Sequence, residues 1–310
     1  MKRKLIALFL IFVMAIASIY VLTPKRHVVS RAVAFPGTSN AAYRFASDES
    51  KIIKWWPASH QNLDAGLVYK DDSFHVMEKF HQVVNISIHN KDFQIPTTLS
   101  ILTLPGDSVA INWQGSIPGG SNPIDKIKQY RLASRVGDQM EDILHAFANF
   151  MSKPINIYDY ALTITSIKDT MLIASKFADT VYPSTAAVYQ VIHNLKAYAQ
   201  KQGAEVTGSP MLNVTKLDNK QFQTMVAIPV NKEIPGNSHI FNRRMVPGHF
   251  LITDVKGGDS TIQEALQQVQ FYFDDNRKIS MAIPFQYLIT DRMIEKDSSK
   301  WVTRIYAPIM

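Results

Sequence analysis

The segment Thr303-Arg304-Ile305-Tyr306-Ala307-Pro308-Ile309 concentrates residue types that can recognise a ligand. Alternate side chains of an extended strand share a face, so Arg304 and Tyr306 point the same way. A guanidinium there supplies a fixed positive charge and a planar fork of donors, suited to a carboxylate or phosphate; it cannot accept a proton. Phe285 and Tyr287 alternate on an earlier strand and offer a facing wall, Phe250 belongs to another strand, and Trp301 has the opposite parity to Tyr306. Candidate ligand contacts are therefore Arg304, Tyr306, Phe285 and Phe250, each set against an ordinary reading: an ion-paired strand residue for the arginine, core packing for the aromatics.

Catalytic and metal chemistry find less material. No GxSxG, HExxH, GxGxxG or Walker-type loop occurs, so no catalytic residue is assigned. His75, His81 and His89 share a parity opposite to Phe74, Val76, Phe80, Val84, Ile86 and Ile88. On a strand pair without a bulge they belong to the solvated face, and no carboxylate completes a ligand spacing, so neither a metal nor another cofactor is expected. Asp71-Asp72 and Asp274-Asp275 fall at element ends, where solvation explains acidic pairs, and Gly119-Gly120 and Gly257-Gly258 read as turns. Trp55 and Trp56, at a helix end before Pro57, read as core plugs more readily than as ligand contacts.

The elements that position these residues follow an apolar N-terminus. Leu5 to Leu22 is an 18-residue run without charge, preceded by Lys2, Arg3 and Lys4. As a helix it is about 27 Å long, near the hydrocarbon thickness of a bilayer, and its positive flank favours a cytoplasmic N-terminus. The expectation is a single-pass bacterial inner-membrane anchor over residues 1–27 with the rest in the periplasm. A cleaved signal peptide, with Ala15-Ile16-Ala17 as the small-x-small site, and a cytoplasmic orientation are the alternatives. Five basic residues lie in Met1–His27, which leaves 28 Lys and Arg against 26 Asp and Glu. The body thus carries no basic footprint, and no nucleic-acid partner is expected. Without a single cysteine, disulfides and thiolate zinc sites are excluded.

Beyond the anchor the chain reads as two α+β domains, 28–152 and 153–310, divided at Ser152-Lys153-Pro154. His27 to Ala34 is a strand and Ser39–Trp56 is helical; Leu67 to Gly115 has a period of two, and a long helix runs to about Phe150. A helix packed across a curved antiparallel sheet leaves room for an apolar cavity. By this order of elements, and by Ile52-Ile53-Lys54-Trp55-Trp56-Pro57, residues 28–150 resemble the SRPBCC superfamily, the START-like or polyketide-cyclase-like helix-grip fold.

The second half gives strands at Tyr160–Ile167, Thr170–Phe177, Met211–Lys216, Phe222–Val230, Phe250–Val255, Ile283–Ile289 and Val302–Tyr306. Helices are predicted over Ser184–Gln202 and from Ser260 to about Phe273, the latter opening on the capping boxes Ser260-x-x-Gln263 and Thr261-x-x-Glu264. Gly208-Ser209-Pro210, Ile228-Pro229-Val230, Pro247-Gly248-His249-Phe250 and the tail Ile305-Tyr306-Ala307-Pro308-Ile309 make residues 156–310 resemble the GyrI-like effector-binding domain. The resemblance implies two strand–helix–strand–strand repeats with a ligand groove between them. It also implies a buried Glu in that groove, and this chain has Arg304 at the corresponding place. That departure counts against cation binding and against a carboxylate base.

The functional expectation is non-enzymatic binding or sensing of a small hydrophobic or aromatic molecule at the outer face of the inner membrane, each domain offering a pocket. The alternative is a hydrolase or cyclase acting on a small hydrophobic substrate. A third reading, the effector half of a transcription regulator, is disfavoured by the anchor.

Overall fold

A computed structural model describes residues 10, 11, 14, 18, 26–57, 67–120, 122–167, 170–217, 220–245, 247–280 and 282–310. It divides into two compact units, Met1–Lys153 and Pro154–Met310. Among the described residues no helix is long and apolar enough to cross a membrane. The expected transmembrane helix, and with it the single-pass inner-membrane location with periplasmic domains, is therefore withdrawn. Except for Leu10, Ile11, Met14 and Ser18, the run Leu5–Leu22 lies outside the described residues.

In the first unit, strand β1 (Arg26–Pro36) is followed by the short helices α1 (Ser39–Ser47) and α2 (Glu49–Ile52). Thr38 Oγ1 caps α1 by accepting from Ala41 N, and Asp48 Oδ1 caps α2 by accepting from Ser50 N. Strands β2 (Leu67–Tyr69), β3 (Asp72–Phe80), β4 (Val83–Asn90), β5 (Phe93–Leu104) and β6 (Ser108–Pro118) form a meander. With β1 it makes one antiparallel sheet in the order β1-β6-β5-β4-β3-β2. Helix α3 (Pro123–Met151) starts at Asn122, whose Oδ1 accepts from Asp125 N at 2.8 Å, with Pro123 in the first turn. Its buried stripe includes Val136, Met140, Ile143, Leu144, Phe147 and Met151, at helical spacing.

Two sequence expectations for this unit are corrected. Phe80, assigned to the same face as Val84, is 55% exposed. A β-bulge between Val76 and Glu78 shifts the register, so that Lys79 pairs with Val84 and Phe80 with Val83. One extra residue inverts the alternation beyond it. Nor, among the described residues, does the interface between helix and sheet hold a ligand-sized cavity. The space between helix and sheet is about 20 Å³, on the order of one water. Trp55, Trp56, Phe74, Trp113 and Phe147 fill the rest, Trp55–Phe147 and Trp56–Phe74 edge against face at 4.5 and 5.3 Å and Phe74–Trp113 tilted at 6.0 Å between ring centroids. Both indoles at the helix end have their N–H satisfied inside the unit: Trp55 Nε1 donates to Phe45 O at 2.9 Å and Trp56 Nε1 to Val68 O at 2.8 Å.

The second unit opens with the short helix α4 (Pro154–Tyr158) and strand β7 (Thr163–Ile167). Then come β8 (Thr170–Asp179), α5 (Thr185–Lys201), β9 (Met211–Lys216) and β10 (Phe222–Pro229), followed by β11 (Phe241–Met245). The pattern returns as β12 (Gly248–Lys256), α6 (Asp259–Asp275), β13 (Phe285–Leu288) and β14 (Val302–Ile309). These are two strand–helix–strand–strand repeats, which fit the GyrI-like resemblance. They share one antiparallel sheet in the order β11-β8-β10-β9-β13-β14-β12-β7.

The curvature of this sheet follows from its connections. Strand β7 is at one end of the order and β8 next to the other end, yet only residues 168–169 separate them in sequence. Residues 246–247 likewise link β11 at one end to β12 near the other. Links this short require the two ends to come together, so the sheet curls and encloses a concave face. The convex face carries the helices. Val188, Ile192, Leu195 and Ala199 of α5 pack on Ile173, Leu212, Val226 and Ile228. Ile262, Ala265, Val269 and Phe273 of α6 pack on Leu251, Val255, Ile305 and Ala307.

Candidate functional site

Strands covered by helices on one face bury residues of both parities here, because the other parity faces the concavity. Leu172 and Ala174 of β8, Met211 of β9, Ala227 of β10 and Met245 of β11 form a second apolar cluster, joined by Met225, Phe241, Phe285 and Tyr287. Above it lies a cleft of about 940 Å³, within the range of small-molecule sites. Its lining is largely methionine, alanine, leucine and phenylalanine, with Arg243, Arg244, His249 and Asn213 as polar members and no Asp or Glu.

Of the four candidate residues, Phe250 and Phe285 line the cleft. Tyr306, the direct cross-strand partner of Phe285, backs it: the rings are stacked 5.1 Å apart with planes 5° from parallel. Tyr306 also meets Phe250 at 6.3 Å and Tyr287 at 5.1 Å. Burial, and secondarily the neighbouring Tyr306, push the Tyr287 phenol up from its usual pKa, so it remains a neutral donor. The structure thus gathers Phe250, Phe285, Tyr287 and Tyr306 into one aromatic group on the concave face.

Arg304 stands on the same face, beyond that group and outside the cleft lining. It lies opposite Tyr287 on one side and Asp254 on the other. Its Nε donates to Asp254 Oδ1 at 2.6 Å and its Nη2 to Asp254 Oδ2 at 2.8 Å. These charge-assisted bonds hold the Asp254 carboxyl below the usual carboxylate range and raise the guanidinium further. Trp301, the opposite-parity aromatic, is occupied structurally. Its Nε1 donates to Glu295 O at 2.8 Å, and the guanidinium of the buried Arg292 lies 4.7 Å from its ring centroid.

Several cleft residues were not singled out from the sequence. Met211, Met225, Ala174 and Ala227 sit one step out of phase with the residues that face α5, and a small-and-methionine parity opposite a branched-aliphatic parity was the available signal. Arg243 was missed because β11 was not recognised as a strand. Among the described residues no group of three or more His, Asp or Glu side chains is arranged to hold a metal ion. His75 and His89 do come together, with ring centroids 4.9 Å apart. Burial, and secondarily His75, lower the pKa of His89.

No protein-family model matches the chain, and no curated protein matches it in sequence. Among solved structures it is similar to the EcmrR C-terminal domain, at 16% identity, covering 49% of this chain and 98% of that one with a TM-score of 0.42. SAV2435 bound to tetraphenylphosphonium is similar at 13% identity, covering 48% of this chain and 94% of that one, TM-score 0.32. A third, an EcmrR–DNA complex, is similar at 16% identity over 60% of this chain and 70% of that one, TM-score 0.44. Likeness at this level establishes neither family nor function. The expectation that no nucleic acid is bound rests on the charge balance alone.

Proposed function

We propose that the second unit is a GyrI-like binding domain that takes a small hydrophobic or aromatic molecule into its concave cleft and performs no chemistry on it. The observation that carries this reading is the 940 Å³ cleft, floored by Met211, Met225, Ala174 and Ala227 and walled by Phe250 and Phe285. Aromatic and thioether side chains give large apolar contact with adaptable shape, which suits binding without a fixed reaction geometry. Arg304 and Tyr306 contribute from behind, Tyr306 by stacking on Phe285 and Arg304 by keeping the Asp254 carboxylate of that face occupied. The first unit, SRPBCC-like in element order, is closed around its aromatic residues.

A hydrolase reading has one observation in its favour: Ser166 Oγ lies 3.1 Å from His249 Nδ1. Both residues are exposed, and alternation along β12 places the His249 side chain out of phase with Phe250. Among the described residues no carboxylate pairs with His249 to orient it, so the pair lacks the third member of a nucleophile-activating set.

The test fills the cleft. Ala227 pairs with Ala174 and Met211 across the floor, and Ala227→Phe directs a ring into the open space. Binding of the neutral fluorophore N-phenyl-1-naphthylamine, followed by emission, is expected to be lost in this variant while its thermal transition is retained. Unchanged binding in a folded Ala227→Phe protein removes the cleft as the site.

A further inference from the structure

We infer that the cleft selects amphiphiles carrying an anionic group, a carboxylate or sulfonate, and that Arg243 is the residue that recognises the charge. This rests on the cleft being the binding site, and adds to it the polarity of the ligand.

Arg243 is placed by the alternation of β11. Phe241, Arg243 and Met245 share a parity, and Phe241 and Met245 both belong to the concave apolar cluster. Arg243 pairs directly with Leu172, itself 7% exposed and a cleft residue. The arginine stem therefore leaves the sheet on the cleft side, between two residues that help form its wall. Its guanidinium lies 5.5 Å from the centroid of the Phe241 ring, which holds the stem down and leaves the N–H fork available at the edge of the cleft. Among the described residues Arg243 has no carboxylate partner.

The other charges on the concave face point the same way. Lys176 pairs with Met225 on the same face. Asp254 is the acidic residue of this face, and both its oxygens are taken by Arg304. Among the described residues, a ligand entering the cleft thus meets the Arg243 guanidinium at one edge and no acidic side chain in the lining. The apolar floor limits solvent screening near the edge, so the field of Arg243 acts on a bound group more strongly than on a solvated one. A lipophilic cation meets the same field with the wrong sign.

The test compares the full chain with two probes that differ by one group. 1-Anilinonaphthalene-8-sulfonate is N-phenyl-1-naphthylamine with a sulfonate added. The anionic probe is expected to bind the parent protein more tightly, and Arg243→Gln is expected to weaken it roughly two- to fivefold, as for an exposed charged contact, while leaving the neutral probe unchanged. Arg243→Lys should restore part of the difference by keeping the charge without the fork. Equal binding of the two probes by the parent, or an Arg243→Gln protein that binds the sulfonate as before, overturns the anion selectivity and leaves the cleft reading standing. If Ala227→Phe leaves both probes bound as before, the cleft reading itself fails, and the selectivity with it.

Discussion

Arg304 and Asp254 face each other across the β12–β14 pairing and close a two-bond fork, Nε to Oδ1 at 2.6 Å and Nη2 to Oδ2 at 2.8 Å. The sequence alone left open whether Arg304 meets a ligand or an acidic neighbour. A carboxylate directly opposite it on the partner strand settles where its donors go in the unliganded chain. The guanidinium that the sequence offered as a ligand contact is thus neutralised on its own face, outside the cleft lining.

The fork has a pH signature. Arg304 holds the Asp254 carboxyl below its ordinary range, so its stabilisation is present above the unfolded carboxylate value, near 4, and is lost as pH falls through the depressed folded value. Asp254→Asn should lower thermal stability at neutral pH by less than about 1 kcal/mol, since both partners are partly exposed. The gap to the parent should shrink in acid and in high salt. Melts at pH 7 and in acid measure it; an undiminished gap in acid would mean that the carboxylate charge is not what stabilises the pair.

In the first unit a buried chain of hydrogen bonds sets the core. Trp113 Nε1 donates to Thr97 Oγ1 at 2.8 Å, and that hydroxyl donates to Ile86 O at 2.6 Å. Thr97→Val keeps the shape and strands the indole N–H in a fully buried setting, at a cost of about 1–3 kcal/mol. The denaturation midpoint of the unit reports it. A change under half the lower bound would show that Trp113 finds another acceptor.

What was legible in the sequence was local. Most strands and the longer helices were placed by period, because an alternation or an apolar stripe lies within one element. The α6 capping boxes were misplaced by the same logic. The N-cap is Gly258, without a side-chain cap bond, and Ser260 and Thr261 fall inside the first turn. Strand β11 escaped because Asn242, Arg243 and Arg244 make it polar, which an edge strand paired on one side tolerates. A groove was expected from the resemblance, and Phe250 and Phe285 were named for it; its methionine and alanine floor was not, because that depends on two short links joining opposite ends of a sheet, a long-range relation that no window of residues contains. The first unit's expected cavity fails on side-chain volume, which element order does not specify.

The approach to α6 yields another test. Gly257 has φ +142°, and a Cβ there would lie 2.6 Å from Thr261 Oγ1. Gly257→Ala should cost about 1–3 kcal/mol through backbone strain alone, with the clash in addition. Adding Thr261→Ala should recover only part of the loss, since it removes the Oγ1 contact but leaves both the dihedral and the 2.9 Å approach to Thr261 Cβ. Complete recovery in the double variant would assign the whole effect to sterics.

The bulge in β3 gives the sharpest comparison between pattern and structure. By uninterrupted alternation Phe80 is a core residue, and replacing it with a charge would bury an unpaired ammonium at several kcal/mol. By the observed register it stands beside Val83 on the face opposite Val84, more than half exposed. Phe80→Lys should therefore change stability by no more than about 0.5 kcal/mol, the range of surface substitutions. Val84→Lys, at a fully buried position on the other side of the same hairpin, should abolish a cooperative transition in the first unit. Urea titration of the two variants beside the parent distinguishes the registers: a destabilised Phe80→Lys protein would mean that β3 runs unbulged and that its alternation continues to the turn.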